Sequence, residues 1–179
     1  MKPWNKVVSQ ARYMSMYRNL FAYLYGANGE KPRTINEATI LVKKLWEMYP
    51  KHFEQSVTNA GFSMDELINH VVGKRLYDCS SAVCALTQDE KNDFLDLKVV
   101  TDYNSSSLHD LLYDTTTTAL GCAGSVLWKD GHVAIDTGSG ICVDFGNEFV
   151  DCRAYPIITG NFKLSGKVKW VDYTGALNV

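Results

Sequence analysis

Apolar positions recur with a helical period through the first two thirds of this chain and give way to short β-type runs from about Gly124 onward. Val7, Val8, Ala11, Leu20, Phe21 and Leu24 predict a loosely amphipathic helix over residues 5 to 25, closed at Gly26, with Tyr23 and Tyr25 in its last turn. Ala27 to Pro32 reads as a loop. Thr34-x-x-Glu37 has the spacing of a capping box and opens a helix whose Leu41, Leu45 and Met48 share a face before Tyr49-Pro50 stops it. Ser63-x-x-Glu66 opens another, with Leu67, Ile68, Val71 and Val72, closed by Gly73. A helix then starts at Cys79, carrying Ala82, Val83 and Leu86, and a short one is expected over Ser107 to Tyr113. Strands are expected at 125–128, 132–137, 141–145, near 149–153 and at 168–173, the second and third joined by a hairpin loop at Gly138-Ser139-Gly140.

Helices first and strands later define an α+β class rather than alternating βαβ units. At 179 residues the chain is expected to form one domain, 1–179, with a helical insertion at about 34–73 and a β-rich part at about 124–175. A formal charge of −2 with 46% apolar residues carries no basic stripe, which argues against a nucleic-acid partner. No apolar run approaches the ~20 residues of a membrane helix, so no membrane insertion is expected. Trp4-Asn5-Lys6 and Arg12 interrupt any signal-peptide core, so the expectation is a chain made in the cytoplasm that reaches a wall through lysis or another delivery system. The five cysteines, at 79, 84, 122, 142 and 152, are an odd number and leave at least one thiol free.

Chemistry concentrates at two places. Cys79 follows Asp78 at a helix start, where free backbone N–H groups and the helix dipole favour a negative sulfur. On that pattern alone, a nucleophile and a buried structural thiol are equal readings. His132 heads a β run after Gly131, where its ring can reach a neighbouring helix end and serve as a base; an imidazolium there would lower the thiol pKa further. His52, His70 and His109 stand in no comparable motif. A three-residue hairpin loop would set Thr137 opposite Ile141, Ala134 opposite Asp144 and His132 opposite Gly146. Asp144 would then share the face of His132 one diagonal step away and could orient the ring. A two-residue loop would turn it away and leave Asp144 a surface charge.

Tyr23-Leu24-Tyr25-Gly26, Asp78-Cys79-Ser80-Ser81, Gly124-Ser125-Val126-Leu127 and Gly131-His132-Val133-Ala134-Ile135 occur in that order. With this set the chain resembles the NlpC-type cell-wall peptidases, papain-like cysteine hydrolases that cut bacterial peptidoglycan. The spacing is most similar to compact phage endolysins with a helical insertion ahead of the cysteine. The resemblance implies a papain-like domain in which N-terminal helices and the insertion pack on a C-terminal antiparallel sheet. It implies a peptidoglycan peptide substrate, an acyl-enzyme on Cys79 with His132 as base and Asp144 as third residue, and no cofactor. Tyr23, Asp78, Ser80 and Trp128 would border the substrate, and the Cys79 N–H would serve the oxyanion. Ser125 stands where the family usually has Asp, and Ala134 where it has Gly.

Other classes fit less well. A zinc site from Cys122, Cys142, Cys152 and His132 would lack paired Cys-x2-4-Cys knuckles. A lipid acyltransferase would want a membrane-facing apolar segment, and a non-catalytic wall-binding module would have no need to keep Cys79 and His132. An amidase of the CHAP kind and an interbacterial toxin use the same scaffold and stay open.

Overall fold

In the computed structural model, which describes residues 1–90, 96–117 and 121–176, the first helix is shorter than its apolar spacing predicts. Strand β1 (Lys2–Pro3) leads into α1 (Trp4–Met16); Tyr17 then leaves helical geometry, a single 3-10 turn (Arg18–Leu20) follows, and the chain straightens into β2 (Phe21–Tyr23). Tyr23 is therefore on a strand and not in a helical turn. The physical reason is two-sided burial. Phe21 and Tyr23 enter one apolar cluster while Ala22 and Leu24 enter another. Only the alternation of a strand delivers successive residues to opposite sides.

The helical insertion consists of α2 (Ile35–Met48), α3 (Pro50–Phe53) running into a wider turn at Glu54–Thr58, and α4 (Met64–Val71). Ser63 and Glu66 form a full reciprocal capping box. At α2, Thr34 accepts the Glu37 N–H, but the Glu37 carboxylate reaches back to the N–H of Arg33, one residue earlier than the box requires. The buried stripe of α2 is Ala38, Val42 and Leu45, with Met48 55% exposed, so the inward face is rotated from the Leu41–Leu45–Met48 expectation. These residues pack with Phe53, Val57, Leu67, Ile68 and Val71 against Ala22, Leu24 and Leu76.

Leu76 belongs to β3 (Arg75–Tyr77), which pairs in parallel with β2 in the register Phe21↔Arg75, Ala22↔Leu76, Tyr23↔Tyr77. The insertion thus packs on this two-stranded sheet and not on the large one, which corrects the expected arrangement. β3 runs directly into α5 (Cys79–Gln88), followed by α6 (Ser105–Leu111), two residues earlier than expected. Part of the charged stretch from Asp89 to Asp93, and Thr118 of the threonine run, lie outside the described residues.

The main sheet contains β4 (Tyr113–Thr116), β5 (Val126–Lys129), β6 (His132–Asp136), β7 (Ile141–Phe145), β8 (Cys152–Pro156) and β9 (Leu164–Lys167). It is antiparallel, in the order β4-β9-β5-β6-β7-β8. β9 escapes a sequence pattern because Leu164-Ser165-Gly166-Lys167 has no β-branched residue. Gly166 is needed there, since a Cβ would come within 2.8 Å of the Leu112 Cβ. The expected strand at 168–173 reduces to β10 (Val171–Asp172), which pairs with β1.

Val126, Val133, Ile135, Val143 and Phe145 point to one face of the sheet, where Val7, Ala11 and Met14 of α1 and Val83 and Leu86 of α5 cover them. Leu127, Ala134 and Cys142 point to the other, covered by Ile157 and Phe162. Full burial of each large side chain contributes about 1.5–3 kcal/mol, and the two clusters share no residue. No helix among the described residues is long and apolar enough to cross a membrane.

Candidate active site

Asp78 is the N-cap of α5. Its carboxylate accepts the Ser81 N–H at 2.8 Å, and the Ser81 hydroxyl accepts the Asp78 N–H at 2.9 Å, so the box closes in both directions. The Ser80 hydroxyl donates to the same carboxylate at 3.0 Å, and Ser81 also donates to the Ala27 carbonyl at 2.7 Å. Asp78 and Ser80, expected beside the substrate, thus first fix the helix start on which Cys79 is the first residue. A cap of this kind stabilises by about 1 kcal/mol, and it aims the first N–H groups of the helix at the space around the sulfur.

Cys79 is 8% exposed, and its Sγ lies 4.0 Å from the carbonyl of Gly131, the residue before His132. The N–H of Val133, the residue after His132, acts on the same sulfur, together with the N–H groups of Ser80 and Cys79 itself. The sulfur therefore rests against the backbone at the foot of His132. The strand position that carries His132 is set by the β5–β6 hairpin, in which Lys129 faces His132.

His132 Nε2 lies 2.7 Å from Asp144 Oδ2. The hairpin register is Ile135↔Val143 and Asp136↔Cys142, with the Thr137 N–H on the Ile141 carbonyl, as a three-residue loop dictates. Two residues sequence reasoning missed complete this corner. Arg153 Nε donates to Asp144 Oδ1 at 3.0 Å and the Tyr155 hydroxyl donates to Oδ2 at 2.8 Å. Both come from β8, where Asp144 faces Arg153 directly. Their signal was the alternation of Arg153 and Tyr155 with Cys152 and Ala154, hidden by a strand expected three residues too early. The Asp144 side chain is fully buried and that of His132 is 15% exposed, with Phe162 stacked over its ring at 6.2 Å.

Burial by itself would raise the Asp144 carboxyl, but the hydrogen bonds from His132, Arg153 and Tyr155 outweigh it and hold the group below its usual range. An ionised carboxylate only accepts, so Nε2 of His132 carries the proton and Nδ1 is the nitrogen left for another partner. The Cys79 thiol behaves otherwise than the helix start suggests. Burial pushes it up to about 12, the Asp78 charge adds to the rise, and the three N–H groups only partly offset it. Desolvation at this sulfur thus opposes the helix end, which by itself would favour the thiolate. Alkylation of Cys79, followed by peptide mapping, should then quicken steadily from neutral pH past pH 9. A plateau near neutrality would indicate a preformed ion pair.

Tyr23 is buried and shares the apolar cluster of Cys79. It lies beside Tyr77, two residues before the cysteine. Trp128 sits opposite Val133 on β5, half-buried, its indole N–H donating to the Ser105 carbonyl and its ring against His109 at 4.3 Å. Ser125 bonds the Ser165 hydroxyl at 2.8 Å, and Ala134 is fully buried in the cluster on the far face. Cys84 is buried and directs its sulfur to the Tyr103 carbonyl at 3.8 Å, away from the site. Cys142 and Cys152 fall in different clusters, and among the described residues no group of His, Cys, Asp or Glu side chains is arranged to hold a metal ion.

A thiol at a capped helix start, backbone N–H groups around it, and an imidazole fixed by a buried carboxylate are the parts of a nucleophilic acyl-transfer site. No protein-family model and no curated protein matches the chain. A solved structure of the Resuscitation Promoting Factor Interacting protein RipA, mutated at a histidine, is similar over 92% of this chain and 83% of that one, at 14% identity and a TM-score of 0.40.

Proposed function

We propose that this chain is a papain-like cysteine hydrolase of the NlpC type that cleaves an amide bond in the stem peptides of bacterial peptidoglycan. The observation that supports this most is the seating of the Cys79 sulfur against the backbone groups that flank His132, whose ring Nε2 is held by Asp144. Nδ1 of His132 takes the thiol proton as sulfur attacks the carbonyl carbon, and the Cys79 N–H faces the oxygen that becomes negative. Collapse breaks the C–N bond, and the imidazolium returns the proton to the leaving amine. Water then adds to the thioester, giving its proton to His132; the C–S bond breaks, the acid leaves and the thiol is restored. With no cofactor in the scheme, the same reading extends to a phage or prophage endolysin that meets the wall after lysis.

Mass spectrometry of fragments released from purified peptidoglycans of several cross-link types tests the proposal. Free stem peptides cut between amino acids are the expected products. Intact stems freed from the glycan would instead identify an amidase of the CHAP kind, and absence of any release would overturn the hydrolase reading.

A further inference from the structure

Among the described residues β2 is paired on one edge only. The N–H of Leu24, the residue after β2, goes to the Tyr77 carbonyl of β3, so the N–H groups of Tyr23 and Tyr25 point to the opposite edge, where no strand runs among the described residues. Two carboxylates from the loop after β7 take the place of a strand there. Asp151 Oδ1 accepts the Tyr23 N–H at 3.0 Å, and Glu148 Oε1 accepts the Tyr25 N–H at 3.2 Å. Each carboxylate is gripped from behind by a histidine of the insertion. His70 Nε2 of α4 lies 2.9 Å from Asp151, with Lys74 Nζ at 3.6 Å, and His52 Nε2 of α3 lies 3.2 Å from Glu148. His52 also stacks on the Tyr25 ring at 3.9 Å.

The loop that carries these carboxylates is held in an uncommon shape. Phe149 and Asp151 both have positive φ, 67° and 59°, which L-residues adopt only when their surroundings compel it. Phe149 stacks on Phe62 at 4.0 Å and leans on His70 at 5.0 Å, so the insertion supplies that compulsion. The loop begins two residues after Asp144, the buried partner of His132. Tyr23 pairs with Tyr77, two residues before Cys79, and shares the apolar cluster of Cys79, so the strand held by Asp151 borders the cysteine.

We propose that His70 is a positioning residue: acting through Asp151, it holds the Tyr23 strand against Cys79, and this is what the helical insertion contributes. The inference rests on the hydrolase reading above. It assigns a role to a histidine and a carboxylate that the reaction itself does not use, and none to proton transfer by either.

The test compares His70→Leu, which cannot donate, with His70→Gln, whose amide can reproduce the Nε2–H donor, each alone and with Tyr23→Phe. Fragment release gives kcat and KM, and alkylation of Cys79 gives a readout that needs no substrate. His70→Leu should lose about tenfold in kcat, the lower end for partners that support a functional group, and should be alkylated severalfold faster as Tyr23 loosens. His70→Gln should recover most of both. In the Tyr23→Phe background the same change should cost little more, because residues that act through one another are not additive. Equal rates for wild type and His70→Leu, multiplying losses in the double variant, or no rescue by Gln would overturn the assignment. If His70→Leu fails to fold, Asp151→Asn, which keeps an acceptor for Tyr23 and weakens the grip of His70, is read on the same two assays, and wild-type rates in both would likewise overturn it. A wild-type protein that releases nothing defeats the hydrolase reading alone, and the alkylation rates then decide the positioning role.

Discussion

Cys79→Ala should release no measurable fragments from peptidoglycan, a loss of about 10⁴-fold or more, on the scale of removing a nucleophile that works as one unit with its base. The change removes a single sulfur from a side chain that is 8% exposed. It leaves the Asp78–Ser81 box that starts the helix untouched. Alanine is also the best helix former, so the folded state should survive with a melting temperature near that of the wild type. The check is fragment release measured beside a thermal melt. A folded Cys79→Ala protein that digests walls at a rate near wild type would remove the nucleophile from the scheme. An unfolded one would be followed by Cys79→Ser, which retains the polar atom.

Asp144→Ala should be the next most damaging change. It strips the partner from His132 Nε2, and it also leaves the Arg153 guanidinium and the Tyr155 hydroxyl facing a buried gap. The Arg153 side chain is 44% exposed and can turn to water, so the stability loss should be that of leaving a buried hydrogen-bond partner unsatisfied, about 1–3 kcal/mol, and activity should fall by about tenfold to a hundredfold. Asp144→Asn should retain more of each, since its carbonyl oxygen still accepts from the ring, although one hydrogen-bond donor then meets Arg153 or Tyr155. Thermal melts and fragment release across the pair supply the measurement. Asp144→Ala at wild-type activity would show that another group orients the ring. The pH dependence follows the same geometry. The folded carboxyl sits below its ordinary value, so this contribution to stability is complete above the unfolded pKa of about 3.9 and is lost as pH falls through the folded one.

Much of the site was readable because its parts are local. Asp78 and Ser81 cap a helix across three residues, and a three-residue loop at Gly138 to Gly140 fixes which residues of two strands meet. Neither depends on anything distant in the chain. Arg153 and Tyr155 were out of reach for the opposite reason. Their hydrogen bonds to Asp144 need the register of β7 with β8, and the connection between those strands passes through Phe149 and Asp151, whose positive φ no propensity anticipates. The β2–β3 pair was likewise hidden. Each strand has three residues, they are parallel, and they lie more than fifty residues apart, so only burial on both sides identifies them.

The sequence by itself determined where a thiol would open a helix, where an imidazole would open a strand, and that Asp144 would lie on the imidazole's side if the hairpin loop had three residues, because capping and hairpin geometry are settled within a dozen residues. Tertiary structure alone decided the rest. It turned Tyr23 from a helical position into a strand position, since two clusters claimed alternate residues of one short segment. It joined the insertion to the Tyr23 edge through His70 and Asp151, groups 81 residues apart. And it raised the Cys79 thiol where a helix start would lower it, because burial is a property of everything packed around the sulfur and not of the residues beside it.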